Sequence, residues 1–146
     1  MVTTNERKIF VIDFDSTVTQ VEGLDELAAI ALKGQADGAE VVKKIKALTD
    51  AGMSGEISFS EALKSRIELL KANKSHIEIL IDFLKTKISD SFLRNKSFLK
   101  EYNADIYIVS SGFKEFILPI TQSLGLKDEN VYANTFTFDE EGNITG

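Results

Sequence analysis

The amino-acid sequence predicts an α/β fold, a parallel sheet with a small helical subdomain inserted after its first strand. Residues 8–14 and 105–110 are short apolar runs rich in β-branched and aromatic residues, which is typical of strands buried on both faces. Helical patterns fill the chain between these runs. About ninety residues separate the two strands, whereas a parallel crossover needs about a dozen or more, so the excess predicts an insertion.

Apolar residues recur at helical spacing in several segments between and after the strands. They predict helices over residues 21–31, 41–48, 59–70, 75–85, 90–102 and 113–124. Ser58 or Ser60 is expected to cap the third helix, and Gly125 the last. Pro119 predicts a kink or a late start in that last helix, and Gly52 and Gly55 are expected to break the insertion's helices.

A weaker third strand is predicted over residues 131–134, and the turn-forming run Asp139–Asn143 predicts a hairpin near the end of the sequence. The domain organisation that follows is an α/β core made of residues 1–17 and 86–146, with a helical cap insertion over residues 18–85.

Composition excludes several classes of protein. The chain has 146 residues, 43% of them hydrophobic, which is enough for one domain with a core. It has no cysteine, so disulfides and thiolate metal sites are excluded and a reducing cytoplasm is the simplest location. A net charge of −6 with three arginines provides no basic groove for nucleic acid. No apolar run reaches the roughly 18 residues of a membrane span.

The strongest functional signal is Asp13-Phe14-Asp15-Ser16-Thr17, directly after the first strand. Alternation along an extended chain puts Asp13 and Asp15 on the same side, where two carboxylates repel unless a cation lies between them. Oxygen ligands favour a hard cation, most simply Mg²⁺. One carboxylate can then attack phosphorus and the other can transfer a proton. The alternative interpretation is a turn in which Asp15 or Ser16 caps a helix.

The second strand ends in Ser110-Ser111-Gly112, just before a helix. A hydroxyl group and free backbone amides at a helix start can bind phosphate. An ordinary helix cap explains the same residues, but two such termini on neighbouring parallel strands favour a phosphate site.

Arg66 falls at the spacing of the apolar face of its helix, so its guanidinium either needs an anionic partner, such as a ligand carboxylate, or reaches water along its stem. Glu22 opens the first insertion helix, and favourable interaction with the helix N-terminus is the preferred explanation of it from the residues alone. His76, the one histidine, lies in a polar stretch and is expected at the surface.

These residues, in this order, resemble the haloacid dehalogenase (HAD) superfamily and, within it, the phosphoserine phosphatase family. The resemblance implies a Rossmann-like sheet with Asp13 as nucleophile and Asp15 as general acid and base. It implies that Asp13 and the backbone carbonyl of Asp15 hold Mg²⁺, and that Ser110, with Ser111 and Gly112, binds the phosphoryl group.

The same resemblance extends to the insertion. It implies that Glu22 receives the amine of phosphoserine, that Arg66 binds its carboxylate, and that Met53 and Phe59 line an apolar side of the pocket. The implied reaction is hydrolysis of L-phosphoserine to serine and phosphate. The alternatives are a related phosphomonoesterase or phosphotransferase acting on another small substrate, and a non-catalytic chain that only binds.

The sequence departs from the family pattern in two ways. Ser111 stands where the family usually has glycine, and its side chain could crowd the phosphoryl group or bond to it. The family's third-motif lysine and fourth-motif aspartates find no counterpart in the 146 residues. We therefore expect a fragment that is weak or inactive alone, with an unpaired edge at residues 9–14 that self-association or a further C-terminal segment would cover.

Overall fold

A computed structural model describes residues 6–146, and its central element is a three-stranded parallel sheet. The strands are β1 (Phe10–Ile12), β2 (Ile106–Phe113) and β3 (Val131–Asn134), in the order β1-β2-β3. The predicted α/β class and parallel sheet are thus confirmed. β2 runs beyond its predicted end at Ser110, because its pairing with β3 is interrupted between Val109 and Phe113 and then resumes.

Helices occupy the predicted segments, with one exception. The first four are α1 (Gly23–Ala31), α2 (Gly38–Ser54), α3 (Phe59–Leu70) and α4 (Lys74–Lys85); the others are α5 (Asp90–Arg94), α6 (Lys96–Glu101) and α7 (Lys114–Ser123). The single helix predicted over 90–102 is wrong, since it divides at Asn95, whose side-chain amide donates to the Ser91 carbonyl (2.7 Å). Such local side-chain bonds compete with helical backbone bonds.

Capping follows the predictions in two helices. The Ser58 hydroxyl accepts a hydrogen bond from the Glu61 amide at the start of α3 (3.2 Å). Gly125 follows α7 with a left-handed φ of +77°. Pro119 lies inside α7, which begins without delay at Lys114.

One face of the sheet is buried and the other is open. Side chains of Phe10, Ile12, Ile106, Ile108 and Val131 share the covered face, as the strand register requires. The expectation that β1 is buried on both faces is wrong: Val11 is 68% exposed and Ile9 58%. Tyr107 and Tyr132 stack on this open face with ring centroids 6.3 Å apart, and no helix of residues 6–146 shields Val11 beside them.

The hydrophobic core lies between the covered sheet face and the helices. α7 contacts β2 and β3, α4 packs on α7, and α1 packs on α4. Fully buried side chains along this path include Phe14, Leu27, Leu80 and Phe116. The core is therefore continuous from the sheet into the inserted helices.

Close packing of α2 on α3 explains a wrong prediction about Gly52. This residue does not break the helix but lies inside α2, which ends before Gly55. A Cβ atom at position 52 would lie 2.9 Å from the Ala62 Cβ, so glycine allows the two helices to approach.

The predicted C-terminal hairpin is present. Phe138 and Ile144 form an antiparallel bridge, and the Thr145 amide donates to the Thr137 carbonyl (2.9 Å). The same segment is tied to the junction of α3 and α4, because the Ile144 amide donates to the Ala72 carbonyl (2.9 Å). The boundaries of the insertion at residues 18 and 85 stay a prediction. No helix within the described residues is long and apolar enough to cross a bilayer.

Candidate active site

The carboxyl end of β1 directs two carboxylates away from the core. Phe14 is fully buried, so Asp13 and Asp15 on either side of it point the opposite way. The Phe14 carbonyl accepts hydrogen bonds from the amides of Thr17, Val18 and Thr19, which makes a tight turn after Asp15. The motif thus turns sharply at the strand tip and leads into α1.

Each carboxylate accepts a backbone hydrogen bond. Asp13 Oδ1 accepts from the Phe14 amide and Asp15 Oδ1 from the Gly23 amide at the start of α1, both at 2.7 Å. Asp13 is exposed, whereas Asp15 is mostly buried. Burial raises the pKa of Asp15 to about 7, with smaller upward contributions from Glu22 and Asp13 and opposing ones from the Gly23 amide and Arg66. Asp15 can therefore hold a proton near neutral pH.

Ser16 connects this turn to Glu22. Its hydroxyl donates to Glu22 Oε1 (2.7 Å), and its φ of +56° is a left-handed conformation that serine seldom adopts. Strained backbone of this kind persists where surrounding contacts determine it, and it is frequent in functional sites. The Glu22 carboxylate is thereby held at the start of α1.

The carboxyl end of β2 meets this turn at Gly112. The Ser110 hydroxyl accepts from the Gly112 amide (2.9 Å), and the Asn134 side chain donates to the Ser111 carbonyl (2.9 Å). A Cβ atom at Gly112 would lie 3.1 Å from both Asp15 Oδ2 and Ser110 Oγ. The two strand ends therefore lie close together, and a side chain at position 112 would require the neighbouring atoms to shift by a few tenths of an ångström.

A cavity of about 170 Å³ opens over the two strand ends. Most of the predicted site residues line it, namely Asp13, Asp15, Glu22, Met53, Phe59, Arg66, Ser111 and Gly112. Five further lining residues were not predicted to belong to the site: Leu24, Thr49, Gly52, Leu63 and Phe113. Ser110 is not among the lining residues, and its hydroxyl accepts a hydrogen bond from the Gly112 amide. His76 is not a lining residue either; its Nδ1 accepts from the Asn73 amide (3.0 Å) and helps cap α4.

Arg66 is largely buried, with 6% of its surface exposed, and it lines the cavity. Its Nη1 donates to the Thr49 hydroxyl (3.1 Å), and the Thr49 hydroxyl lies 2.8 Å from Asp25 Oδ1. Burial lowers the pKa of Arg66, and the carboxylates of Asp25, Glu22 and Asp15 oppose that shift. Among residues 6–146, the one ion pair joins Arg7 to Asp105. Arg66 therefore forms no direct ion pair with a carboxylate of these residues.

The charges that surround the cavity fit a divalent cation. Three carboxylates, Asp13, Asp15 and Glu22, line it against one guanidinium. Residues 6–146 contain no group of three or more His, Cys, Asp or Glu side chains arranged around one metal position. A cation would therefore draw on few side chains, with backbone oxygens, phosphate and water completing its ligands, as Mg²⁺ commonly does.

The curated proteins that are similar to this chain in sequence include several phosphoserine phosphatases. No protein-family model matches the chain. It is 34% identical over 92% of its length to the chloroplastic phosphoserine phosphatase of Arabidopsis thaliana, and 32% identical over 94% to the phosphoserine phosphatase of Drosophila melanogaster. It covers 43% and 48% of those two proteins, so the chain spans about half the length of the curated relatives it matches.

Solved structures give the same result for the fold. A phosphoserine phosphohydrolase-like protein from Francisella tularensis matches 96% of the chain with a TM-score of 0.83 at 25% identity, and the chain covers 64% of it. A phospho-aspartyl intermediate analogue of phosphoserine phosphatase matches 97% with a TM-score of 0.71 at 26% identity, and 62% of that protein is covered. In sequence and in fold, the chain is similar to phosphoserine phosphatases, and its α/β core matches part of the core of those HAD-superfamily proteins.

Proposed function

We propose that the chain carries part of the site of a Mg²⁺-dependent phosphatase that hydrolyses L-phosphoserine through an aspartyl phosphate. The observation that carries this proposal is the close approach of the ends of β1 and β2, where a Cβ atom added to Gly112 would lie 3.1 Å from Asp15 Oδ2. It joins a paired-carboxylate turn to a loop of backbone amides, and Arg66 and Glu22 line the same cavity.

The proposed reaction has two steps. The Asp13 carboxylate attacks phosphorus, so that a P–O bond to Asp13 forms while the P–O bond to the serine oxygen breaks, and Asp15 gives its proton to the departing oxygen. Water then attacks phosphorus, Asp15 takes the proton from that water, and the P–O bond to Asp13 breaks to release phosphate. The pKa of Asp15, raised to about 7, suits a group that both gives and takes a proton at neutral pH.

Asp13 and the backbone carbonyl of Asp15 would hold Mg²⁺, whose chemistry is to neutralise charge on the phosphoryl oxygens. The backbone amides at the start of α7 and the hydroxyls of Ser110 and Ser111 would bind the same oxygens. The Ser110 hydroxyl, which accepts from the Gly112 amide, keeps its proton available to donate to a phosphoryl oxygen.

Phosphoserine is the proposed substrate because two groups of opposite charge line the cavity beside the phosphate loop. Glu22, fixed by Ser16, would bind the ammonium, and Arg66 the carboxylate. Met53 and Phe59, which are largely exposed at the rim, would cover the ligand. A solved substrate-bound complex of a phosphoserine phosphatase shares the fold of this chain, with a TM-score of 0.75.

The metal and the nucleophile are tested together with Asp13→Asn. We expect MgCl₂ to raise the melting temperature of the wild-type chain and to be required for phosphoserine binding in calorimetry. Asp13→Asn should weaken Mg²⁺ binding at least about tenfold, since even the outer partners of metal ligands contribute that much, and it should abolish any phosphate release.

Asp82→Asn, an exposed carboxylate on α4, is the control and should change neither quantity. Because no lysine lines the cavity within the described residues, phosphate release by the 146-residue polypeptide is expected to be slow or absent. Mg²⁺-dependent phosphoserine binding with slow or no phosphate release is therefore the expected result for this polypeptide alone. Equal Mg²⁺ binding by the wild type and Asp13→Asn contradicts the proposed site.

We also propose that the open edge and outer face of β1 associate with a second copy of the chain. Ile9 and Val11 are exposed there beside an unpaired strand edge, which favours strand pairing. Sedimentation should show concentration-dependent dimers, and Val11→Lys should reduce them, whereas Ile79→Lys at an exposed position of α4 should not. A monomer at all concentrations would contradict this. The cytoplasmic location expected from the sequence stays a prediction.

A further inference from the structure

Three insertion helices each contribute one side chain to a hydrogen-bonded chain that ends at Arg66. Asp25 lies on α1, Thr49 on α2 and Arg66 on α3. Thr49 and Arg66 are 5% and 6% exposed, so the hydrogen bond between them is shielded from bulk water. Neither Asp25 nor Thr49 carries a role in the proposed reaction.

The direction of these hydrogen bonds is fixed by their donors. The single hydroxyl proton of Thr49 has two acceptors, Asp25 Oδ1 at 2.8 Å and the Ile45 carbonyl at 3.2 Å. Whichever accepts it, the Thr49 oxygen presents a lone pair to its third neighbour, the Arg66 Nη1, at 3.1 Å. The Thr49 hydroxyl therefore acts as an acceptor for Arg66.

The same contacts orient the rest of the guanidinium. Arg66 Nε donates to the Ala62 carbonyl (3.4 Å), so two of its donors are used within the fold. The other N–H groups have no partner among residues 6–146, and Arg66 lines the cavity together with Glu22. Asp25 supplies negative charge on the far side of Thr49, and it is the carboxylate that most favours the charged form of Arg66. A buried guanidinium held in this way is prepared to bind a planar anion.

We propose that Thr49, itself held by Asp25, is a positioning residue that fixes the Arg66 guanidinium for a carboxylate entering the cavity. This inference rests on the proposed function for the identity of that carboxylate. A hydroxyl bonded to the carbonyl four residues earlier is common in helices and would by itself be only structural. The bonds to Asp25 and Arg66 add the orienting role, because they connect α2 to the helices on both sides.

The test compares two ligands that differ in the carboxylate. O-phospho-L-serine and phosphoethanolamine share the phosphate and the ammonium, and calorimetry with Mg²⁺ measures both. Thr49→Val keeps the side-chain volume but removes the hydroxyl. It should weaken phosphoserine binding roughly tenfold, as loss of a hydrogen bond to a charged group does, and leave phosphoethanolamine unchanged. Thr49→Ser should restore the wild-type affinity.

Thr121→Val is the matched control, because Thr121 is also fully buried in a helix, with its hydroxyl donating to the Leu118 carbonyl (3.2 Å), and lies outside the cavity. It should leave both affinities unchanged. If Thr49→Val weakens both ligands equally, or neither, the positioning role is wrong. If Thr49→Val does not fold, Asp25→Asn decides: it should weaken phosphoserine selectively by roughly threefold, and equal or no weakening overturns the proposal.

A second measurement separates this inference from the proposed function. The side-chain nitrogen resonances of Arg66, recorded by NMR without ligand, should show restricted guanidinium rotation in the wild type and Thr49→Ser. Rotation should become faster in Thr49→Val. Unchanged rotation overturns the inference whatever the ligand. Should the wild type bind both ligands equally, the carboxylate role of Arg66 in the proposed function fails, and the rotation alone decides whether Thr49 positions Arg66.

Discussion

Replacing Asp15 by asparagine is expected to stabilise the metal-free chain at pH 8 by about 2–4 kcal/mol, from a pKa shift of roughly three units. Burial raises the pKa of Asp15 to about 7, so at pH 8 the folded chain holds a charge that it disfavours. Asparagine removes this charge and still offers an oxygen to the Gly23 amide, which donates to Asp15 Oδ1 at 2.7 Å.

The sign of the pH dependence follows from proton binding. Between about pH 4 and 7 the unfolded chain has released the Asp15 proton, whereas the folded chain still holds it. The unfolded state therefore binds fewer protons, and the free energy of unfolding falls as pH rises through this window. At pH 4 Asp15 is protonated in the folded state, so the advantage of Asp15→Asn should disappear there.

Thermal melts in EDTA at pH 4, 6 and 8 measure this effect. A gain of 2–4 kcal/mol corresponds to roughly 5–15 °C for a chain of this size. The exposed carboxylate Asp90 provides a control, since Asp90→Asn should change the melting temperature little at any pH. A destabilised Asp15→Asn at pH 8 in EDTA would show that the Asp15 carboxylate stabilises the fold, contrary to its burial beside Asp13 and Glu22.

Local patterns are sufficient to predict the strands, most of the helices and the carboxylate pair. Alternation around Phe14 and helical spacing around Arg66 are properties of a few neighbouring residues, so they can be read without the fold. The place of Arg66 on an apolar stripe likewise predicts that its stem packs on the core, but it does not decide between an anion and water as the partner of its head group. By contrast, the exposure of Val11 depends on which elements cover the outer face of the sheet, and no pattern within residues 8–14 carries that information.

The remaining differences also depend on contacts between distant segments. Thr49 looks like an ordinary helical threonine in the sequence, and its role becomes visible only when α1 and α3 bring Asp25 and Arg66 to it. The low helix propensity of glycine predicts a helix break at Gly52. In the structure, glycine at this position instead allows the close approach of Ala62 in α3. In related sequences, the signal to look for is an aspartate, a threonine and an arginine on three successive insertion helices, as Asp25, Thr49 and Arg66 are here.

Arg66→Ala should reduce the preference for phosphoserine over phosphoethanolamine more than Thr49→Val does. Removing one member of a buried, hydrogen-bonded charge pair costs about 2–5 kcal/mol, which is a loss of at least about thirtyfold in affinity. We expect this loss for O-phospho-L-serine and a much smaller change for phosphoethanolamine, because only phosphoserine carries the carboxylate. Arg66→Lys should recover little, since an ammonium lacks the planar pair of donors that a carboxylate accepts.

Arg94→Ala, at an exposed position at the end of α5, is the matched control and should leave both affinities unchanged. Equal losses for the two ligands in Arg66→Ala would mean that the guanidinium interacts with the phosphate or supports the cavity as a whole, and the assignment of phosphoserine would fail while the phosphate site could still stand. If Thr49 acts through Arg66, Arg66→Ala must weaken phosphoserine binding more than Thr49→Val does. A selective loss of affinity in Arg66→Ala larger than the roughly tenfold loss expected for Thr49→Val would meet this requirement. The reverse order would mean that Thr49 contacts the ligand itself.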